Sequence, residues 1–318
     1  MHIVDRIDAV TMVTPDYQRV DPPPPKSVKI SVTERCNHSC GYCALRLRKH
    51  APVSMNKDDY RRIVKEAADF GVEEVAPFFM GEPTMLPWLG EAVEIAKEHV
   101  PYVFLTTNGT YSGALSAYAD CFIAGLDSLK FSLNYATAEQ YSEVTGCRPE
   151  LFHRLLKNIR AARELRDKLD APTKLWASAI QYDGEQAERM AEVIAEVEPY
   201  LDGPVYLLPL YSFGSFATDR TKELGFTPTA GNQGRIGALR DPLPCWTCFT
   251  AAHVGITATG RPYLSACCFD ASGDWEMADL STMSFADAWH SLKFRELRRA
   301  HLNKDVSETI CGRCLAYT

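Results

Sequence analysis

The chain alternates short runs of β-branched, aromatic and small residues with longer stretches in which apolar positions recur every three or four residues. Six runs carry the first pattern: Ser27–Thr33, Glu74–Met80, Tyr102–Asn108, Ser128–Asn134, Lys174–Ile180 and Pro204–Leu210. Helices are expected between most of them. Asn56 is placed to cap a helix running through Phe70, Trp88–His99 reads as another, and Thr137 with Gln140 matches a capping box. Pro149–Leu169 and Gln186–Tyr200 read as longer helices. Asp21–Lys26, DPPPPK, is a stiff extended segment ahead of the first strand.

Strands that are each followed by a crossover predict an α/β fold with a parallel, twisted or barrel-like sheet. Right-handed crossovers put the helices outside, and the loops at the carboxyl ends of the strands form the active face. Residues 211–243 mix Gly, Ser, Thr and Pro without a period, and the remainder is a small cysteine-rich unit. The expected organisation is an N-terminal extension (1–26), a strand–helix core (27–212), a linker (213–243) and a C-terminal unit (244–318).

Composition narrows this picture. With 318 residues, 46% hydrophobic and 24% charged, the chain has enough apolar material for a sizeable core. A formal net charge of −7, with no basic patch interleaved with aromatics, argues against nucleic acid and is compatible with a cationic small-molecule substrate. Asp5, Arg6 and Asp8 interrupt the N-terminus, so no signal peptide is expected. No apolar run is long enough to span a membrane, and the expected location is the cytoplasm, where thiols stay reduced. Eleven cysteines in such a chain point to metal or catalysis. Three lie between positions 36 and 43 and six between 245 and 314; Cys121 and Cys147 stand apart and read as small core residues.

The first group is Thr33-Glu-Arg-Cys36-Asn-His-Ser-Cys40-Gly-Tyr42-Cys43, a C-x3-C-x2-C spacing just after the first strand. Three thiolates on one loop bind three irons of a four-iron cluster and leave the fourth open. A structural zinc site needs a fourth protein ligand, and only His38 and His50 lie near. The motif, its position and the aromatic Tyr42 resemble the radical SAM family over about residues 27–210.

That resemblance implies a partial (β/α)6 barrel with a small C-terminal cysteine-rich α+β domain. It implies a [4Fe-4S] cluster on Cys36, Cys40 and Cys43, with S-adenosylmethionine at the open iron. It further implies an electron donor such as a flavodoxin or ferredoxin, and reductive cleavage to a 5′-deoxyadenosyl radical. Gly81, Glu82 and Pro83 would hold the amino group, with Glu82 and backbone carbonyls as acceptors. Tyr42, Thr107, Asn108, Ser132, Asn134 and Ser178 are the other candidate cofactor contacts.

The second group is Cys245-Trp-Thr-Cys248, Cys267-Cys268 and Cys311-Gly-Arg-Cys314. Paired C-x2-C motifs also suit a zinc ribbon. The run from Cys248 through Gly260 to Cys267-Cys268-Phe-Asp270 is similar to SPASM and twitch domains. So is the later run with Phe285, Trp289, Phe294 and Leu297-Arg298 before Cys311. The gap from Gly260 to Cys267 is longer than the usual pattern. The resemblance implies one auxiliary [4Fe-4S] cluster on Cys248, Cys267, Cys311 and Cys314, which leaves two spare thiols. A thiol over the barrel mouth can return a hydrogen atom to a substrate radical; Cys268 is the first candidate and Cys245 the second. The expected function is epimerisation of a sugar or aminocyclitol, as in the biosynthesis of aminoglycoside-type antibiotics, with a cationic aminosugar the envisaged substrate. An aminocyclitol dehydrogenase, a ribosomal-peptide maturase and a non-enzymatic zinc scaffold remain open alternatives.

Overall fold

The computed structural model describes residues 3–182, 184–208 and 243–313. All of the expected linker except Leu243 lies outside the described residues, as does Cys314. Among the described residues, β1 (Ser27–Ile30), β2 (Glu74–Ala76), β3 (Tyr102–Thr107), β4 (Ser128–Ser132), β5 (Lys174–Ile180), β6 (Tyr206–Leu208), β7 (Ala251–Ile256), β8 (Pro262–Ser265) and β9 (Glu276–Asp279) form one sheet. Its order is β6-β5-β4-β3-β2-β1-β7-β8-β9. β1 to β6 are parallel, β7 continues parallel beside β1, and β8 and β9 return antiparallel. The fold is mixed α/β with a parallel-strand sheet, as expected. The cysteine-rich unit adds its strands to the edge of the same sheet, pairing Ser27–Ile30 with Ala251–Val254.

The helices α2 (Lys57–Phe70), α3 (Leu89–Lys97), α4 (Ala114–Ile123), α5 (Ala138–Thr145), α6 (Glu150–Lys168) and α7 (Gly184–Val197) intervene between the parallel strands. Asn56 caps α2 by accepting from the Asp58 amide at 2.8 Å, and Gly71 ends it in the left-handed region at φ 112°. Thr137 caps α5 by accepting from the Gln140 amide at 3.1 Å. The Gln140 side chain reaches back to the Ala136 amide rather than to that of Thr137, a variant of the capping box. β2 is shorter than its apolar run because Pro77 cannot donate to the ladder.

Strand alternation separates two faces. Val28, Ile30, Leu129, Phe131, Leu175 and Ala177 point outward to the main core under the helices. Tyr60 on α2 is fully buried there and donates its hydroxyl to the Ala92 carbonyl at 2.9 Å. Burying a side chain of this size contributes roughly 1.5–3 kcal/mol. The inward residues of β1 through β6 line a single cavity, so the sheet curves around it. A helix unforeseen in the sequence, α1 (Ile3–Thr11), closes the cavity's side. Ile3 packs on Trp176 and Tyr206, and Val10 packs beside Trp246 and Cys268. The short α8 (Phe285–Trp289) rests on α2, and α9 (Leu292–Leu302) follows it.

Candidate active site

The loop after β1 carries Cys36, Cys40 and Cys43, and its backbone is pinned on both sides. The Ser39 and Gly41 amides donate to the carbonyls of Thr145 and Val144, each at 2.8 Å, at the end of α5. The Asn37 side chain joins the loop to the end of β3, through Thr110 at 3.0 Å and Asn108 at 2.8 Å. Cys147, read from the sequence as a core residue, packs half-buried against the main core and also donates its thiol to the Asn37 carbonyl at 3.2 Å. Cys121 is buried in the core as expected.

Of the two nearby histidines, His38 turns its Nδ1 to Cys40 Sγ at 3.9 Å, and His50 leaves its Nε2 without a partner among the described residues. His38 shares its Nε2 with the hydroxyls of Thr110 and Tyr141, each at 2.7 Å, and burial holds its pKa down to about 4. His50 Nδ1 lies 2.9 Å from the Ala51 carbonyl oxygen and 3.6 Å from Glu34 Oε2.

A four-iron cluster fits the three thiols. None is in a disulfide. Burial raises the pKa of all three, Cys40 to about 12, so their thiolates call for a cationic partner in place of lost water. Among the described residues, no three His, Cys, Asp or Glu side chains converge tightly enough to hold one metal ion. Ligands of a cluster bind different irons and stand further apart.

Gly81 fits the backbone against this loop. Its φ is 90°, and a Cβ there would stand 2.4 Å from the Thr33 carbonyl oxygen and 2.9 Å from that of Arg35. The next amide, of Glu82, donates to the Arg35 carbonyl at 2.8 Å. The Glu82 carboxylate already has protein partners. It is 2% exposed and committed internally. One oxygen accepts from the Thr84 amide and from the hydroxyls of Thr84 and Thr107; the other accepts from the Asn108 amide at 2.7 Å. Glu82, Thr107 and Asn108 therefore tie the second and third strand ends to the cysteine loop. Pro83 opens the short turn beneath them.

Of the candidate cofactor contacts, Tyr42, Ser132, Asn134 and Ser178 do line the cavity, which measures about 300 Å³. The Tyr42 hydroxyl accepts from the Asn134 amide nitrogen at 3.0 Å and lies 3.2 Å from the Tyr135 hydroxyl, which is 3.5 Å from Cys40 Sγ. The cavity wall is thus hydrogen-bonded through to the cysteine loop. Cys268 lines the same cavity. So do Arg6, Lys29 and Lys130, which the sequence reading passed over. Their signal was available: two strands of a buried parallel sheet, SVKI and SLKFS, each carry a lysine among residues that should read apolar. The acidity of the whole chain does not extend here, since Glu74 is the sole carboxylate on the described wall, and Arg6 pairs with it at 2.6 Å.

The C-terminal cysteines divide. Cys248 is buried, and its nearest like-charged neighbours as thiolates are Cys311 and Cys245. Its Sγ is 3.9 Å from His301 Nε2, and its carbonyl accepts from the buried Arg298 guanidinium at 2.8 Å. Arg298 stacks over Trp289 at 4.2 Å. Cys267 has Cys268 and Asp270 as neighbours instead. Cys245, the second candidate hydrogen donor, is absent from the described cavity wall; its Sγ lies 3.2 Å from the Thr247 hydroxyl. The same hydroxyl lies 3.9 Å from Cys248 Sγ.

Comparisons agree with this geometry. The model of the radical SAM superfamily matches residues 30–175, and that of the SPASM iron–sulfur cluster-binding domain matches residues 245–315. A probable GTP 3′,8-cyclase of Pyrococcus horikoshii is 31% identical over 142 residues, 45% of this chain and 44% of that protein. The chain thus spans less than half the length of this curated relative. Streptococcus suis SuiB bound to its precursor peptide SuiA superposes with a TM-score of 0.63 at 16% identity, over 92% of this chain and 70% of SuiB. BtrN in complex with AdoMet and 2-DOIA superposes with a TM-score of 0.55 at 17% identity, over 91% of each chain. These two likenesses are of fold. No helix of the described residues is long and apolar enough to cross a membrane. The two domains imply S-adenosylmethionine, the [4Fe-4S] cluster that binds it and auxiliary iron–sulfur clusters. The chain carries a radical SAM domain followed by a SPASM domain and is a radical SAM superfamily enzyme.

Proposed function

We propose that this enzyme epimerises a carbon centre of a small polyol-type molecule, with Cys268 returning the hydrogen atom. One observation carries the reading: the Cys268 thiol shares a cavity with Tyr42, Ser132, Asn134 and Ser178. When bound, S-adenosylmethionine and its cluster supply a hydrogen-abstracting 5′-deoxyadenosyl radical, taking up one electron. The four polar residues then orient cofactor and substrate, and the α1 side wall keeps water out. Cys268 completes the exchange. Its S–H bond breaks as a new C–H bond forms on the substrate carbon. The resulting thiyl takes one electron and one proton to return to the thiol, the electron coming from an external one-electron donor of the ferredoxin or flavodoxin class. We place the first cluster on Cys36, Cys40 and Cys43. The auxiliary cluster rests on Cys248 and Cys311, with Cys245 as their neighbouring thiol.

The test runs the reconstituted enzyme in D2O with hexoses, uronic acids and aminocyclitols. Epimerisation leaves one deuterium at the inverted carbon, because the thiol exchanges with solvent. Cys268→Ala should keep forming 5′-deoxyadenosine and yield no deuterated epimer. Undiminished deuterated epimer from that variant would remove Cys268 from the reaction. A ketone without deuterium would make the enzyme a dehydrogenase.

A further inference from the structure

The cavity's charge is unbalanced in a way that the radical chemistry does not require. Lys29 on β1 and Lys130 on β4 extend into it from different strands. Lys29 Nζ sits 5.9 Å from the ring centres of both Phe78 and Trp246, and Lys130 Nζ lies 5.8 Å from that of Tyr206. Among the described residues, neither ammonium has a hydrogen-bond acceptor or a carboxylate within ion-pair reach. Glu74 gives one oxygen to Arg6 at 2.6 Å and keeps the other, Oε1, buried without a partner, out of ion-pair reach of either lysine. Three cations thus face one carboxylate. Aromatic faces offset only part of the cost of desolvating an ammonium. The cost is visible on Lys29: loss of water brings its pKa down to about 8, with Lys130 and Arg6 repelling it and only Cys268 and Glu74 drawing it back up. One wall residue adds a further donor: Trp246 Nε1 is buried without a partner among the described residues. Behind it His253, the residue paired with Lys29 across β1 and β7, is buried with neither ring nitrogen partnered, one of them a donor and the other an acceptor in the neutral ring that its burial enforces.

We propose that the substrate carries an anionic group, a carboxylate or a phosphate, seated between Lys29 and Lys130. This rests on reading the cavity as the substrate chamber. Such a group adds counter-charge and accepts from the two ammonium groups and the Trp246 N–H. It also selects against the polycationic aminosugar expected from overall charge. Anchoring one end of the substrate at the lysines fixes which carbon meets Cys268.

The shared chemistry has two sources, the substrate's own anion or the carboxylate of S-adenosylmethionine, and binding measurements on the reconstituted holoenzyme separate them. Inorganic phosphate is titrated calorimetrically against enzyme already saturated with S-adenosylmethionine, and cofactor affinity is measured separately. Lys29→Met and Lys130→Met should each weaken phosphate by about tenfold or more, as expected for a lost charged contact. Lys29→Arg should retain it, and cofactor affinity should hold in all three. The proposal falls if wild-type enzyme binds no phosphate, or if both methionine variants bind it as wild type does. It falls also if cofactor affinity drops alongside, since the lysines then serve the cofactor. None of these readouts needs turnover, so they stand apart from the deuterium test of Cys268.

Discussion

The two cysteine groups are built on opposite plans. In the first, three thiols fall within eight residues, from Cys36 to Cys43, on one loop whose backbone is fixed by α5 and by the strand ends. Local chain geometry delivers all three together. In the second, Cys248 follows the turn before β7, Cys267 follows β8, and Cys311 follows α9. Only tertiary packing decides which of them meet, and Arg298, from α9, holds the Cys248 carbonyl. A short-range motif therefore announces its ligands, whereas a dispersed one announces only its candidates.

The sharpest way to break this comparison is to remove a thiol from the local group. No fourth cysteine stands on this loop to replace Cys36, and a neutral imidazole such as His38 is a poor substitute for a thiolate on a cluster iron. Cys36→Ala should reduce 5′-deoxyadenosine formation to background in the reconstituted enzyme. Retained formation would mean that the local loop does not hold the cluster that binds S-adenosylmethionine.

The same contrast explains what the sequence made legible. Strand positions followed from apolar alternation, and the Asn56 and Thr137 caps from residue type at the right offset. The motif shows Glu82 as an acceptor but not the donors that the fold brings around it. Thr107 and Asn108 lie about 25 positions away and consume its carboxylate. α1 escaped notice because its apolar residues close a gap between β6 and the C-terminal unit, a gap that exists only in the folded sheet. Lys29 and Lys130 look like ordinary strand lysines until β1 and β4 curve around one cavity. The spare cysteines rank by adjacency in the chain, whereas packing puts Cys268 on the cavity wall and Cys245 beside Cys248, which is why our proposal reassigns Cys245 to the auxiliary cluster.

That reassignment gives an intermediate effect to measure. With two four-iron clusters the wild-type enzyme holds about eight irons per chain. Cys245→Ser should lower this toward about four while Cys267→Ser leaves it near eight, because Cys245 and Cys248 pack around one Thr247 hydroxyl whereas Cys267 neighbours Cys268 and Asp270. The reverse pattern, counted by iron and acid-labile sulfide, would restore Cys267 as the ligand. It would show that the dispersed group rearranges when its cluster assembles.

The smallest effect sharpens the local side of the comparison. Glu82→Gln keeps the shape of the side chain and replaces one acceptor oxygen with a donor. On one oxygen, the Thr84 and Thr107 hydroxyls can rotate to accept, but the Thr84 amide cannot. On the other, the Asn108 amide is fixed as a donor. Either orientation of the new amide thus opposes one backbone N–H in a buried site. A clash of this kind costs about 1–3 kcal/mol, enough to lower the melting temperature by several degrees. Affinity for S-adenosylmethionine should change less than stability does, because the carboxylate is spent on the fold. A variant with wild-type melting and sharply weaker cofactor binding would return Glu82 to direct contact with the amino group. The strand-end network would then be a consequence of that contact and not the device that holds the cysteine loop in place.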